Sequence, residues 1–175
     1  MSEFSSKAKQ SPSLKARALR LLSSREYSRK GLAAKLQESM ARSMKKDLSA
    51  NDAEPKLAAT EVAKQIEAVL DDFEARGWLS DERFAEALVR RRSERYGARK
   101  IQDELLQAGV DPTKTCTLMQ GLRETERERA QELWRRKFGV LAEDQKERAR
   151  QYRFLASKGF SADVVSKIVG GRSLD

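Results

Sequence analysis

The residues able to do chemistry fall into three groups: neighbouring carboxylates, one cysteine, and clusters of arginine and lysine. Paired carboxylates such as Asp71–Asp72 and Glu126–Glu128 are the raw material of general acid–base work. Both pairs lie in strongly amphipathic helical patterns, so they are expected as solvated faces or ion-pair partners. Cys116 falls at an apolar-spaced position between Lys114 and Leu118 and is expected as a buried structural thiol. The chain has no histidine, which removes Ser-His-Asp triads, Cys-His pairs and His-containing metal sites. No glycine loop of the phosphate-cradling kind occurs. Catalysis needs a positioned nucleophile, base or metal; none is legible, and no enzyme, cofactor, metal or small-molecule substrate is expected.

The basic clusters remain. Arg90, Arg91, Arg92 and Arg95 end one helical stretch, and Arg99 and Lys100 begin the next. Arg135, Arg136 and Lys137 occupy the matching end further on, and Arg25, Arg29 and Lys30 the matching place upstream. Guanidinium pairs bidentately with phosphate and carboxylate, which favours a binding role. Cations also sit well at a helix C-terminus, where the backbone dipole is negative, so a purely structural role stays open. Arg92, four residues before Tyr96, is placed to lay its stem on the core.

The elements that position these residues are helical almost throughout. Leu14, Ala18, Leu21 and Leu22, then Val62, Ile66, Val69, Leu70 and Phe73, then Ala130, Leu133, Trp134 and Phe138 recur at three and four residues. No stretch alternates with period two. Gly77, Gly109 and Gly159 each follow a helical run and precede an apolar residue (Trp78, Val110, Phe160), as at a left-handed helix end with the next residue packing back. Ser80 or Asp81, Asp111 and Ser161 are plausible N-caps for the helices that follow.

These features repeat. Leu105, Gly109, Val110, Asp111 and Leu118 align with Leu155, Gly159, Phe160, Ser161 and Ile168, and Leu19, Tyr27, Ser28, Leu32 and Leu36 with Leu88, Tyr96, Gly97, Ile101 and Leu105. The pattern predicts an all-α fold of tandem three-helix (helix-turn-helix-like) units. Residues 1–12 read as a disordered tail. Repeat 1 spans 13–80, repeat 2 spans 81–122 and repeat 3 spans 123–175. A polar linker at about 46–57 is inserted in repeat 1. Each unit is short of apolar residues, so stacked neighbours would share a core in an elongated, curved array.

Thirty-six basic residues against 27 acidic ones give a net charge of +9, which suggests a nucleic acid, an anionic membrane or an acidic protein surface as partner. A single cysteine suits a reducing, cytoplasmic setting. No apolar run approaches transmembrane length, and the basic runs adjoin short apolar stripes that the repeat cores already claim, so a membrane partner is not expected.

Residues 77–109, GWLSDERFAEALVRRRSERYGARKIQDELLQAG, resemble the RecX family of bacterial recombinase regulators through Gly77, Leu79, Asp81, Arg83, Phe84, Ala85, Gly97 and Gly109. Residues 18–36 resemble that family's first repeat and 155–165 its last, so the resemblance covers most of 14–170. It implies tandem three-helix repeats. It also implies a non-catalytic modulator that binds the groove of the RecA–DNA filament and inhibits its ATPase, strand exchange and co-protease activities in DNA repair and the SOS response. Direct contact with single- or double-stranded DNA is a further implied property. The sequence departs from the family at 37–60, where a longer polar segment replaces a short turn. A stand-alone DNA-binding architectural or transcriptional module is the competing reading, since three-helix units also suit that role.

Overall fold

The computed structural model describes residues 12–47 and 55–171. Within them every regular element is helical, as the periodicity predicts: α1 (Leu14–Leu22), α2 (Arg29–Asp47), α3 (Pro55–Ala75), α4 (Asp81–Arg92), α5 (Ala98–Gln107), a 3-10 turn (Pro112–Thr115), α6 (Cys116–Glu124), α7 (Glu126–Lys137), α8 (Gln145–Ser157) and α9 (Ala162–Val169). Two compact units divide between Leu79 and Ser80.

In the first unit, Ser13 opens α1 by accepting from the Ala16 amide at 3.2 Å, and Ser28 opens α2 by accepting from the Gly31 amide at 3.0 Å. These hydroxyls satisfy donors that have no partner inside the helix. Ala18, Leu32, Leu36, Ile66, Leu70 and Phe73 are fully buried where the three helices meet. Each large apolar side chain here contributes about 1.5–3 kcal/mol relative to an exposed one. Around the polar linker expected at about 46–57, α2 runs to Asp47 and α3 begins at Pro55. The intervening residues 48–54, like the N-terminal segment 1–11, lie outside the described residues.

The second unit holds two cores. One joins α4, α5 and α6 through Ala85, Leu88, Ile101, Leu105, Val110, Met119 and Leu122. The other joins α7, α8 and α9 through Ala130, Trp134, Leu155, Phe160, Val165 and Val169. At the offset of 50 residues, Gln151 stands where Ile101 stands, and it is 1% exposed. The amide is tolerated because Trp134 Nε1 donates to its Oε1 at 2.9 Å and its Nε2 donates to the Val140 carbonyl at 3.1 Å. A buried amide left unpaired would be destabilising.

The glycine turns form as expected, with φ of 68° at Gly77, 78° at Gly109 and 85° at Gly159. Val110 and Phe160 pack into their cores. Trp78 does not: it stays 46% exposed, edge-on to Phe73, and Leu79 fills the core in its place. Ser80 and Asp111 cap the following helices through their side chains. The segment after Asp111 starts as a 3-10 turn before becoming α6. That tighter winding shifts the phase of the apolar stripe, so Thr115 is buried and Cys116, expected in the core, is exposed.

Candidate anion-binding interface

The α4–α5 connection is fixed by the bundle that follows it. Gly97 donates its amide to the Lys158 carbonyl at 3.0 Å. A Cβ on Gly97 would fall 2.3 Å from the Gly159 oxygen, and a Cβ on Gly159 would fall 2.5 Å from Lys100 Cβ, so two backbones touch where no side chain fits. Glu126 lies in the same seam. Expected on a solvated face, it is 5% exposed and accepts from the Ala98 amide at 2.8 Å. Gly97, the N-cap residue of α5, has no side chain to do this, and the carboxylate replaces the missing cap.

Arg129, half-buried, completes the seam. Its guanidinium donates to the carbonyls of Ser93 at 2.7 Å, Tyr96 at 2.9 Å and Leu122 at 2.6 Å. Burial pulls its pKa below the ordinary arginine value, and the charge of Glu126 opposes that shift. Arginine remains protonated at neutral pH regardless.

Around this fixed backbone stand the cations. Arg92, Lys100 and Lys158 approach the Tyr96 ring to 5.3, 5.4 and 5.3 Å from its centroid. Arg92 lies over the ring as its spacing suggests and also pairs with Glu104 at 3.1 Å. Arg90, Arg91, Arg95 and Arg99 are exposed and make no ion pair among the described residues. Dipole placement separates them physically. Arg90, Arg91 and Arg92 sit in the last turn of α4, where the helix itself favours cations. Arg99 and Lys100 sit in the first turn of α5, where the helix disfavours them. Helix stability therefore does not account for Arg99 and Lys100.

The other expected residues are distributed differently. Arg135 and Lys137 are exposed in the last turn of α7, and Arg136 donates to the Glu94 carbonyl at 3.4 Å and pairs with Glu132 at 3.9 Å. Arg25, Arg29 and Lys30 belong to the first unit. Arg25 lies over Tyr27 at 4.6 Å, and Lys30 is exposed. Arg29 is held by Asp71 at 2.7 Å, Glu67 at 2.6 Å and Glu74 at 2.6 Å. Those bonds, Asp71 first, outweigh partial burial and raise its pKa further above the ordinary arginine range. Its donors are thus committed within its own unit. Lys158 had a visible signal: it stands where the other copy of the turn has Ala108. Glu126 and Arg129 had none, because Glu126's partner is a backbone amide 28 residues away and two of Arg129's are carbonyls 33 and 36 residues away. Among the described residues no group of three or more Asp, Glu or Cys side chains is placed to hold a metal ion, and no helix is long and apolar enough to cross a membrane.

This geometry defines a helical repeat protein with a preorganised cationic surface. Two family models match it: the second three-helix domain of RecX over residues 80–114 and the third over 124–169. The regulatory protein RecX of Leptothrix cholodnii is 44% identical over 157 residues, spanning 90% of this chain and 87% of that relative. The regulatory protein RecX of Herminiimonas arsenicoxydans is 43% identical over 154 residues, spanning 88% and 89%. The crystal structure of RecX from Lactobacillus salivarius shares the fold, with a TM-score of 0.63 at 20% identity over 90% of this chain and 93% of that one. The chain belongs to the RecX family of regulatory proteins.

Proposed function

We propose that this chain is a negative regulator of a RecA-type recombinase. It binds the groove of the RecA–DNA filament in the cytoplasm and restrains ATP hydrolysis, strand exchange and co-protease activity during DNA repair and the SOS response. The observation that carries the reading is the pair Arg99 and Lys100, set with Lys158 on a backbone seam that admits no side chain. Cations fixed against the helix dipole await an anion from outside. Carboxylates on recombinase protomers and phosphates on DNA both fit guanidinium and ammonium groups of this kind. A ligand that prefers one filament state shifts the population toward that state and so slows a cycle that requires both.

The test is the single-stranded-DNA-dependent ATPase of the cognate recombinase, with this protein added well below one molecule per recombinase. Bare-DNA affinity is measured in the same buffer. Inhibition is expected, and R91E/R95E/R99E is expected to weaken it at least tenfold while helicity is retained, since none of the three makes an ion pair among the described residues. Tight, steeply salt-dependent binding to bare DNA without any effect on the ATPase would instead establish a stand-alone DNA-binding module.

A further inference from the structure

A second site lies on the far side of α7. One face of that helix, with the end of α9 and the loop after Gly139, encloses a pocket of about 250 Å³. Its apolar lining is Trp134, Leu141 and Ile168 and its charged lining is Arg127, Arg135 and Lys167, with no acidic lining residue among the described residues. Lys167 pairs with Asp163 at 2.9 Å. Arg127 and Arg135 make no ion pair among the described residues.

The pocket is built rather than incidental. The chain of bonds from Trp134 through Gln151 to the Val140 carbonyl fixes the lip. Leu141 then seats against the other wall, since a Cβ on Gly171 would lie 2.9 Å from its Cδ1. Yet the lip keeps Val140 72% and Leu141 50% exposed. Two adjacent, largely exposed aliphatic side chains beside a hydrogen-bonded backbone are an unfavourable arrangement for an isolated surface and a suitable one for an interface.

We propose that this pocket docks an acidic–apolar segment of a protein partner. One bulky apolar side chain would sit on Leu141 and Ile168 beside the edge of Trp134, and a flanking carboxylate would be clamped by Arg127 and Arg135. Nucleic acid fits less well. Trp134 is only 8% exposed, too covered for a base to stack on, and the apolar lining gives polar base edges no partner. The inference rests on the filament reading and deepens it, assigning part of the affinity to protein rather than DNA.

Trp78→Phe leaves Trp134 as the sole tryptophan reporter. The probe is a set of acetylated, amidated pentapeptides, Glu-Glu-X-Asp-Gly, with X as Leu, Ile, Phe or Ala. A saturable change in Trp134 emission is expected with the three bulky residues. R127A/R135A and L141S are each expected to weaken it about tenfold, roughly 1.4 kcal/mol, with circular dichroism unchanged. Equal response with X as Ala, an equal or larger response to a five-residue oligothymidylate, or no response to any peptide would overturn the proposal. So would uptake only by a chain shortened to Gly171, since the chain's own last residues would then be the occupant. In the ATPase assay, L141S is expected to lose inhibition while bare-DNA affinity and its salt slope stay unchanged. If wild type does not inhibit at all, the filament reading fails while the peptide titration still decides the pocket. If wild type inhibits and L141S matches it, the pocket's role fails alone.

Discussion

Glu126 illustrates how one residue does work that its sequence neighbourhood hides. As a glutamate in the first turn of α7 it is favourable to its own helix. Its carboxylate also serves as the missing cap of α5, 28 residues upstream. Glu126→Ala therefore removes an acceptor from a buried amide. A loss of about 1–3 kcal/mol is expected by urea denaturation, with Glu126→Gln much milder because it keeps an acceptor oxygen. Equal cost from both changes would show that charge, not the hydrogen bond, is what matters. Arg129 is the second such residue: Arg129→Met leaves three carbonyls without their donor and should cost at least as much. Arg92 and Tyr96 were legible as packing partners because helical spacing puts them near one another, and Asp71 as an ion-pair residue, but its partner Arg29, 42 residues away, was not. Cys116 and Trp78 were misplaced, since a 3-10 turn and a one-residue shift in the turn after Gly77 both alter the phase that periodicity assumes.

At the scale of elements, the helices were legible because their apolar stripes repeat and because glycine and cap residues punctuate them. The seam between α5 and the α8–α9 turn was not, since it consists of backbone packed on backbone and leaves no pattern except two glycines. Gly97→Ala is the direct probe. Its Cβ meets a carbonyl oxygen and an amide nitrogen, neither the yielding end of a side chain. Destabilisation of about 3 kcal/mol or more is expected from the forced backbone shift. Amide exchange should rise first at Ala98 and in the Gly159 turn. Gly121→Ala, with nothing within 4 Å, is the control and should be neutral or slightly stabilising. The candidate site was half visible for the same reason: the clusters of cations stand out in the sequence, but what fixes them does not.

For the whole molecule, the absence of histidine sets the response to pH. No side chain ordinarily titrates between about pH 6 and 8 once histidine is missing, so the charge of +9 at pH 7 is nearly constant there. The carboxyl groups that do shift move downward. Asp72 titrates below its ordinary 3.8 because Arg76, then Lys15, bonds its ionised form. Asp111 is lowered by the Thr113 amide and hydroxyl. Glu82 titrates below 4.5 through its own backbone amide and the Ser80 hydroxyl. A folded-state pKa below the unfolded one means that the unfolded chain binds more protons in that window, so these contacts stabilise above the unfolded value and are lost as pH falls through the folded one. The thermal midpoint is expected to be flat from about pH 6 to 8 and to fall below about pH 4.5. A steep slope near neutrality would overturn this expectation.

The glycine seam has a consequence for selectivity among polymers. Because neither backbone at Gly97 and Gly159 has room to yield, the cations on α5 and those beyond the seam stand at one invariant interval. A polyanion whose charges recur at a commensurate interval engages both groups, the second contact forming at the high local concentration created by the first. A polyanion of another period gains only one. Neutralising the cations on one side of the seam should then remove the commensurate polyanion's advantage, and loosening the seam should blur it with every charge still in place. Discrimination would be vested in two residues that carry no charge and no side chain.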